Sequence, residues 1–558
     1  MTGVGFETLL AAIRRPDLGE TRRSVDAGPR GLEHLKTLAQ LAGRLGPPLR
    51  SPIGRRYDLY GDLVARNPGS SPALVFLAGN LWREANFRDL NDETARLATL
   101  WRRVGVGPGA AIAIGLSSPA RRLIALLTCL RMGATAHIFP DGVGPAHRAH
   151  RRLHYPTAFV LSDVLEGEAD DAVRLPAEPD AGVIADDPAR SFGYAPEDTA
   201  VVVHGGFEAD PARCAPIPAE RLFGRALTDA LLVMRPPPGA RVAAPDFEPS
   251  RHQLLPLAVL AAGATWVETT LEVLLRDHVR IDWAGVSPAL RDAVLEGSVS
   301  PATWRGWFKD PAEPHDPSAW RTFAARLGPG LRGQNLVCAS SFGGALLFSA
   351  PLDAPDLEVV PTPGWAWQLE EPGAPGQVTE SPAGVLAGAE GEPSASATGR
   401  LLLSDTGSHF LFAGSLLQGR AGVAYPAAEV EAIARSHPAV DEAVAITAPR
   451  PGVLNGVTVS LLVFVDPARD PAPVASLLDE TLRARLRRAL GPSALPDRVL
   501  AYPLTPRIQD GAVDREWCRY QLQTGGLRLR ASSEIHRLTS LLRRWAAEEA
   551  SAATTEET

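Results

Sequence analysis

Lysine is almost missing from this chain. Of its 56 basic residues in 558, only Lys36 and Lys309 are lysines, and all the others are arginines. A GC-rich genome would produce that bias without a functional cause, yet chemistry that depends on a lysine amine has only two candidates. Cysteine is scarce as well: Cys129, Cys214, Cys338 and Cys518 lie far apart with no CxxC pair. That spacing suggests neither a zinc site nor a disulfide framework, and the four are read as buried free thiols. The longest apolar run, Leu254 to Val267, is too short to cross a bilayer. The opening MTGVGFETLLAAIRRPD shows no basic leader followed by an apolar core, so a cytoplasmic protein without membrane attachment is expected. Excess positive charge is missing too, since the net charge is -8. Nucleic acid and anionic membrane are thereby disfavoured as partners, leaving small molecules or proteins.

What is present is enough chain for several domains, or for one large composite domain and a smaller one. Residues 1–50 are arginine-rich and read as a helical extension ending at Gly46-Pro47-Pro48. From Tyr57 onward, helical patterns alternate with short β-branched or apolar runs. These runs are Ala73 to Leu77, Ala111 to Leu116, Ala134 to Phe139, Ala158 to Leu161, Ala200 to Val203, Arg241 to Ala244, Thr265 to Glu268 and Leu336 to Cys338. Strands separated by helix-length segments predict a parallel α/β sheet over residues 51–414. Between Glu370 and Thr398 the chain turns rich in Pro, Gly, Ser and Glu and reads as surface loop. A small α+β domain is expected over 415–526, with a helix at Glu429 to Ser436 and strands at Ala443 to Thr447 and Val457 to Val465. The tail, 527–558, carries Ile535, Leu538, Leu542 and Trp545 on one helical stripe before an acidic end expected to be disordered.

Four stretches resemble the adenylate-forming superfamily of acyl-CoA synthetases, aryl-CoA ligases and peptide-synthetase adenylation domains. Phe87 to Pro140 is similar to the family's opening helix, its Gly-Val-x-Pro-Gly turn and the helix ending Arg-x-Gly-Ala. Pro256 to Glu268 resembles the helix-to-strand step after the acyl-pocket histidine, which His252 matches. Gly422 to Ile446 is similar to the opening of the small C-terminal domain, and Leu504 to Trp517 to the last motif. The resemblance implies an α/β fold: a large N-terminal domain of stacked, mostly parallel sheets with flanking helices, and a small mobile α+β C-terminal domain. It also implies a reaction in which a carboxylate attacks the α-phosphate of ATP, and a thiol such as that of CoA then takes the acyl group. That chemistry needs positive charge and oriented donors where phosphate charge develops.

The motifs depart from the family's pattern at those very places. Setting Gly206 and Pro211 in register puts His204, Gly205, Gly206 and the run to Ala212 on the phosphate loop. The leading hydroxyls are gone, Ala212 stands for the lysine, and Glu208 and Asp210 place two carboxylates where a polyphosphate would lie. Arg213 is one residue on and substitutes only in part, because a guanidinium is a wide planar fork. The magnesium acid falls in Cys338 to Asp353, where Ser340, Ser341 and Gly343 occur and no acid precedes Asp353. The ribose-gripping Asp of a Thr-Gly-Asp motif is Arg400, which accepts no hydrogen bond, with Asp405 five places on. The closing Ser-Gly-Lys becomes Asp510-Gly511-Ala512.

Simultaneous loss of both lysines and both acids predicts an inactive relative that acts by binding. The expected ligand-binding residues of a vestigial nucleotide or acyl pocket are His204, Gly205, Gly206, Arg213, His252, Ser340, Ser341, Gly343, Arg400 and Asp405. No metal is expected, and a protein partner or homo-oligomer is expected through residues 1–50 and 527–558. ATP or AMP, magnesium and CoA would enter only if the chain were an active ligase using Arg213, Arg400 or Arg507. A second alternative comes from another class: His-Gly-Gly is an oxyanion-hole motif, and Ala339-Ser340-Ser341-Phe342-Gly343 resembles a nucleophile elbow. Ser341 would then be a hydrolase nucleophile with His409 or His437 as base. His147, His150 and His154 share a helical face, but the arginines between them repel a dication, so a solvated basic face is expected there.

Overall fold

Runs of Val, Ile and Ala without charges are stable as strands only where both faces are covered, and this chain supplies them repeatedly. The computed structural model describes residues 17–18, 24–26, 31–138, 157–162, 172–180, 182–204, 214–245, 247, 252–277, 279–311, 317–339, 343–351, 358–364, 367–370, 383–388, 400–403, 410–412, 416–418, 424–449, 457–465, 471–490, 495–509, 512–527 and 530. Two compact units change over between Ala413 and Gly414.

In the first unit a six-stranded sheet has the order Cys214–Pro218, Thr199–His204, Thr135–Ile138, Ala111–Gly115, Phe159–Ser162, Val173–Arg174. All its pairings are parallel except the first. The larger sheet is parallel through Pro72–Ala78, Thr265–Val267, Arg241–Ala243, Trp283–Gly285, Gly306–Lys309 and Gly333–Ala339. It continues antiparallel from Gly344–Phe348 outward and is closed at the other end by the antiparallel strand Leu81–Asn86. Each of the eight strand runs expected from the sequence overlaps one of these strands; Leu116, Ala134, Ala158, Ala244 and Glu268 fall just beyond the strand ends, and Phe139 lies outside the described residues. Helices begin and end where local chemistry dictates. Asn86 and Asp89 form a reciprocal capping box for Phe87–Arg103. Pro119–Met132 starts on the Ser118 hydroxyl and stops at Gly133, whose φ of 80° favours glycine.

Within residues 1–50, expected as a helical extension, the described part packs on the first unit. Helix Gly31–Leu45 presents Leu35, Leu38 and Ala42 on one stripe, and all three are buried in the main core. His34 meets the Thr228 hydroxyl at 2.9 Å, and strand Ser24–Asp26 pairs with Trp367–Glu370. The physical reason is the stripe itself: apolar residues at i, i+3 and i+7 bury against the nearest core rather than face solvent.

The second unit pairs Glu442–Pro449 antiparallel with Val457–Phe464, which pairs parallel with Arg498–Tyr502. Val430, Leu461, Leu478 and Leu482 are among the residues of its core, with helices Ala427–Arg435 and Pro471–Leu490. Both expected strands and the expected helix occur here. Leu527 is buried in the same unit, and the stripe Ile535 to Trp545 lies outside the described residues. No described helix is long and apolar enough to cross a membrane.

Candidate functional site

In open α/β sheets ligands sit beyond the carboxyl ends of the parallel strands, because the loops there are free to vary while the strands hold them still. Three constellations occupy such strand ends or the loops they feed, all within the first unit.

The first is at the end of Thr199–His204. His204 is buried, and its Nε2 lies 3.0 Å from Nδ1 of His137 on the neighbouring parallel strand. Burial lowers His137 to about 4, so the ring is neutral at physiological pH. A neutral imidazole brings hydrogen bonding to this strand end but no charge for a phosphate. Gly205, Gly206, Ala212 and Arg213 lie outside the described residues. His137 is the partner the sequence reading missed. Both histidines interrupt or end otherwise apolar strands, and a polar ring so placed demands a neighbour.

The second surrounds His252, just ahead of helix Leu255–Ala261. Phe247 packs edge-on against the imidazole, ring centroids 4.8 Å apart, and also against Phe308 at 5.6 Å. His252 Nε2 stands 3.6 Å from Asp310 Oδ2, with both residues buried. Nothing near His252 in the sequence faces it; Asp310, 58 residues on, does, just past the end of Gly306–Lys309, whose pleat sends Phe308 and Asp310 to one side. The same alternation sends Trp307 and Lys309 to the other. Lys309 is 1% exposed, with Nζ 5.1 Å from the Trp320 ring centre, and Trp307 stacks on Trp320 at 5.9 Å. Lys36 is exposed on helix Gly31–Leu45.

The third holds the start of Gly344–Phe348. Arg225 and Asp229 are one helical turn apart, both buried, at 3.3 Å. Asp229 Oδ2 accepts the Ala345 amide at 2.8 Å, and the Arg225 guanidinium donates to the Ala345 carbonyl. One ion pair thus grips both polar groups of one residue. Gly343 adopts a φ of 96°, and a Cβ on Gly344 would run into the Asp229 carboxylate. Desolvation raises Asp229 to about 6 against the opposing pull of Arg225 and the Ala345 amide. Ser340 and Ser341 lie outside the described residues.

Arg400 opens strand Arg400–Leu403, whose backbone pairs with Ala383–Gly388, and Asp405 lies outside the described residues. Ala512 pairs with Gln509 in a short hairpin of the second unit. His437 Nδ1 accepts the Ala439 amide at 3.1 Å in a local turn of the second unit. His409 and the stretch containing His147, His150 and His154 lie outside the described residues.

Comparison with known proteins supplies the context. Residues 62–212 match the AMP-binding enzyme family, and residues 429–511 match the AMP-binding enzyme C-terminal domain. No curated protein matches the chain. Among solved structures, ATP-bound MatB from Rhodopseudomonas palustris is 15% identical, with a TM-score of 0.62, covering 83% of this chain and 98% of its own. The o-succinylbenzoate CoA synthetase MenE from Bacillus subtilis is 14% identical, with a TM-score of 0.60 and coverages of 82% and 97%. The amide bond synthetase McbA from Marinactinospora thermotolerans is 18% identical, with a TM-score of 0.57 and coverages of 83% and 99%. The two-domain acyl-CoA synthetase-like architecture is therefore present.

Proposed function

We propose that this chain, an acyl-CoA synthetase-like member of the adenylate-forming superfamily, keeps the fold without the ATP chemistry and acts by binding, as a ligand-holding, structural or regulatory subunit for a partner protein. The observation behind this reading is where its two lysines stand. The superfamily pattern asks for one amine in the phosphate loop and one in the closing motif, and alanine occupies both positions, Ala212 and Ala512. Lys309 faces the tryptophan side of its strand, away from His252 and Asp310, and Lys36 is exposed on a helix near the start of the chain. An alanine methyl supplies neither charge nor donor to a developing phosphate charge.

ATP with its magnesium does not fit the donors present. The strand end that leads into the loop carries a neutral His137 against His204, and the loop sequence contributes Glu208 and Asp210. Two like unit charges about 4 Å apart repel by about 4 kcal/mol at an effective dielectric near 20. Exchanging an attracting lysine for such carboxylates turns a favourable term into an unfavourable one. An acyl or other small ligand with a polar end would be held near Phe247, His252 and Asp310, which bring an aromatic face, an imidazole and a carboxylate together.

Pyrophosphate exchange over a broad panel of carboxylic acids tests the loss of adenylation. The expected result is no acid-dependent exchange above that of a His252→Ala variant. Clear exchange would overturn the proposal in favour of a ligase using Arg213 or Arg400; Arg507 is already engaged with Asp514 at 3.3 Å. Calorimetry with ATP and AMP reads any surviving nucleotide site, and a fluorophosphonate probe that leaves Ser341 unlabelled removes the hydrolase reading.

A further inference from the structure

Strands Gly306–Lys309 and Gly333–Ala339 are parallel neighbours, with Trp307 opposite Gly333. Their amino ends therefore lie side by side, at the end of the sheet opposite to that at which Asp310 meets His252. The chain enters each strand through a turn. Ahead of the first, the Trp304 amide closes on the Pro301 carbonyl at 3.0 Å and the Arg305 amide donates to the Asp282 carbonyl at 2.7 Å. Ahead of the second, helix Pro317–Leu327 stops at Gly328-Pro329, and the Leu331 carbonyl is fixed by the Trp307 indole N–H at 3.2 Å. Between the two turns lies a groove of about 460 Å³, with Trp304, Arg305, Arg326, Leu327, Pro329 and Leu331 among its lining residues. That volume is in the range of small-molecule sites, about 300–1,000 Å³.

The floor is apolar and held in place: Trp304 is 8% exposed and packs on Phe323, ring centroids 6.4 Å apart. The rim is cationic. Arg305 is 66% exposed and comes only within 3.9 Å of Asp282 Oδ1, which Arg280 holds at 2.9 Å, while Asp282 Oδ2 accepts the Arg241 amide at 3.0 Å. One carboxylate thus serves two guanidiniums and leaves a net positive charge beside the groove. Arg326 is exposed, with no hydrogen bond or ion pair among the described residues. The helix dipole favours a cation in this last turn without any ligand, but that preference explains neither Arg305 nor the groove between them. Among the described residues no acid lines the groove. We infer that it binds a small organic anion, a carboxylate or phosphate carried on a flat apolar body. The oxyanion is held by Arg305 and Arg326, and the body covers Trp304, Leu327 and Leu331. A guanidinium offers paired donors that match either oxyanion, and the covered apolar surface adds to the affinity.

Calorimetric titration of the full-length protein with phenyl phosphate, benzoate, inorganic phosphate and benzyl alcohol tests this. Phenyl phosphate or benzoate should saturate, and the tighter of the two identifies the head group as phosphate or carboxylate. Arg305→Gln and Arg326→Gln, both changes of exposed side chains, should each weaken that binding about tenfold with the melting temperature kept. Arg83→Gln, which removes an exposed charge from strand Leu81–Asn86, should leave it unchanged. Failure of both aromatic anions to saturate the unsubstituted protein overturns the proposal. Binding unchanged in both groove variants also overturns it, since the anion would then sit elsewhere, and equal weakening by Arg83→Gln does so because attraction by overall charge would suffice. Benzyl alcohol binding as tightly as benzoate, or inorganic phosphate as tightly as phenyl phosphate, overturns the ligand class, the first by removing the anion and the second by removing the apolar floor.

Discussion

Replacing Asp229 by alanine should release the start of strand Gly344–Phe348, and the size of the effect should depend on pH in a direction that the burial of the carboxylate sets. Arg225 and Asp229 are 1% and 2% exposed, and between them they hold the amide and the carbonyl of Ala345. Removing the carboxylate strands a buried guanidinium and an amide, a loss of about 3–5 kcal/mol. The proton linkage adds to this. The Asp229 carboxyl is raised from 3.8 to about 6 in the fold, chiefly by desolvation. A folded value above the unfolded one means that the native state binds the proton more tightly. The stability this contributes is fully present below pH 3.8 and is lost as pH rises through about 6. Between pH 8 and pH 5 the difference is on the order of 1 kcal/mol, so Asp229→Ala should cost more at pH 5 than at pH 8. Urea unfolding of both proteins at the two pH values, followed by tryptophan fluorescence, measures it. A cost that is equal at both pH values, or larger at pH 8, would refute the reasoning, because attraction by Arg225 would then outweigh desolvation. Gly344→Ala supplies a second arm. Its Cβ collides with the Asp229 carboxylate, so it should be milder in the Asp229→Ala background, with a coupling of about 0.5–3 kcal/mol.

Three further outcomes follow from the fold. Leu38→Ala, at a fully buried position of helix Gly31–Leu45, should cost about 2–5 kcal/mol in urea unfolding, and a value near zero would return the helix to the status of an appendage. Gly133→Ala meets both a φ of 80° and the Phe192 ring 2.5 Å from the new Cβ, so a loss of about 1–3 kcal/mol is expected in the same assay. Burial pushes the Cys518 thiol up to about 12 and raises Cys129 further. Iodoacetamide at pH 8 should therefore leave both unmodified in the native protein, and their labelling before unfolding would contradict the packing.

The parts of the fold legible in the sequence are those in which one physical signal dominates. Thr199–His204 is buried on both faces, and an uninterrupted Val run has no other stable home. Gly306–Lys309 is equally buried but reads Gly-Trp-Phe-Lys, with neither a β-branched run nor a clean alternation, so its strand character depends on neighbours 20 to 30 residues away. Asp310 was illegible for that reason: a carboxylate after an unrecognised strand looks like loop. The helix over 31–45 is plain from its stripe, but a stripe does not say what covers it. The replacements at Ala212, Arg400 and Ala512 are legible only as departures from a resembled pattern. The partners His137, Asp310 and the Arg225–Asp229 pair come from adjacency across strands and turns, which spacing along the chain does not encode.

The pairing of strand Ser24–Asp26 with Trp367–Glu370 has a consequence for how the chain is made. Val25 faces Trp367, so an early strand finds its neighbour only after some 340 further residues have been added. At about 5–20 residues per second, that leaves it without this partner for roughly 17–70 s of synthesis. Over that interval the apolar stripe of the adjoining helix has only the partners synthesised by then, and the main core cannot close until its later strands emerge. Birth of this protein is therefore a period in which its leading segment must be kept from other company, and slow or interrupted translation past residue 200 should raise its aggregation before any change in the finished molecule is seen.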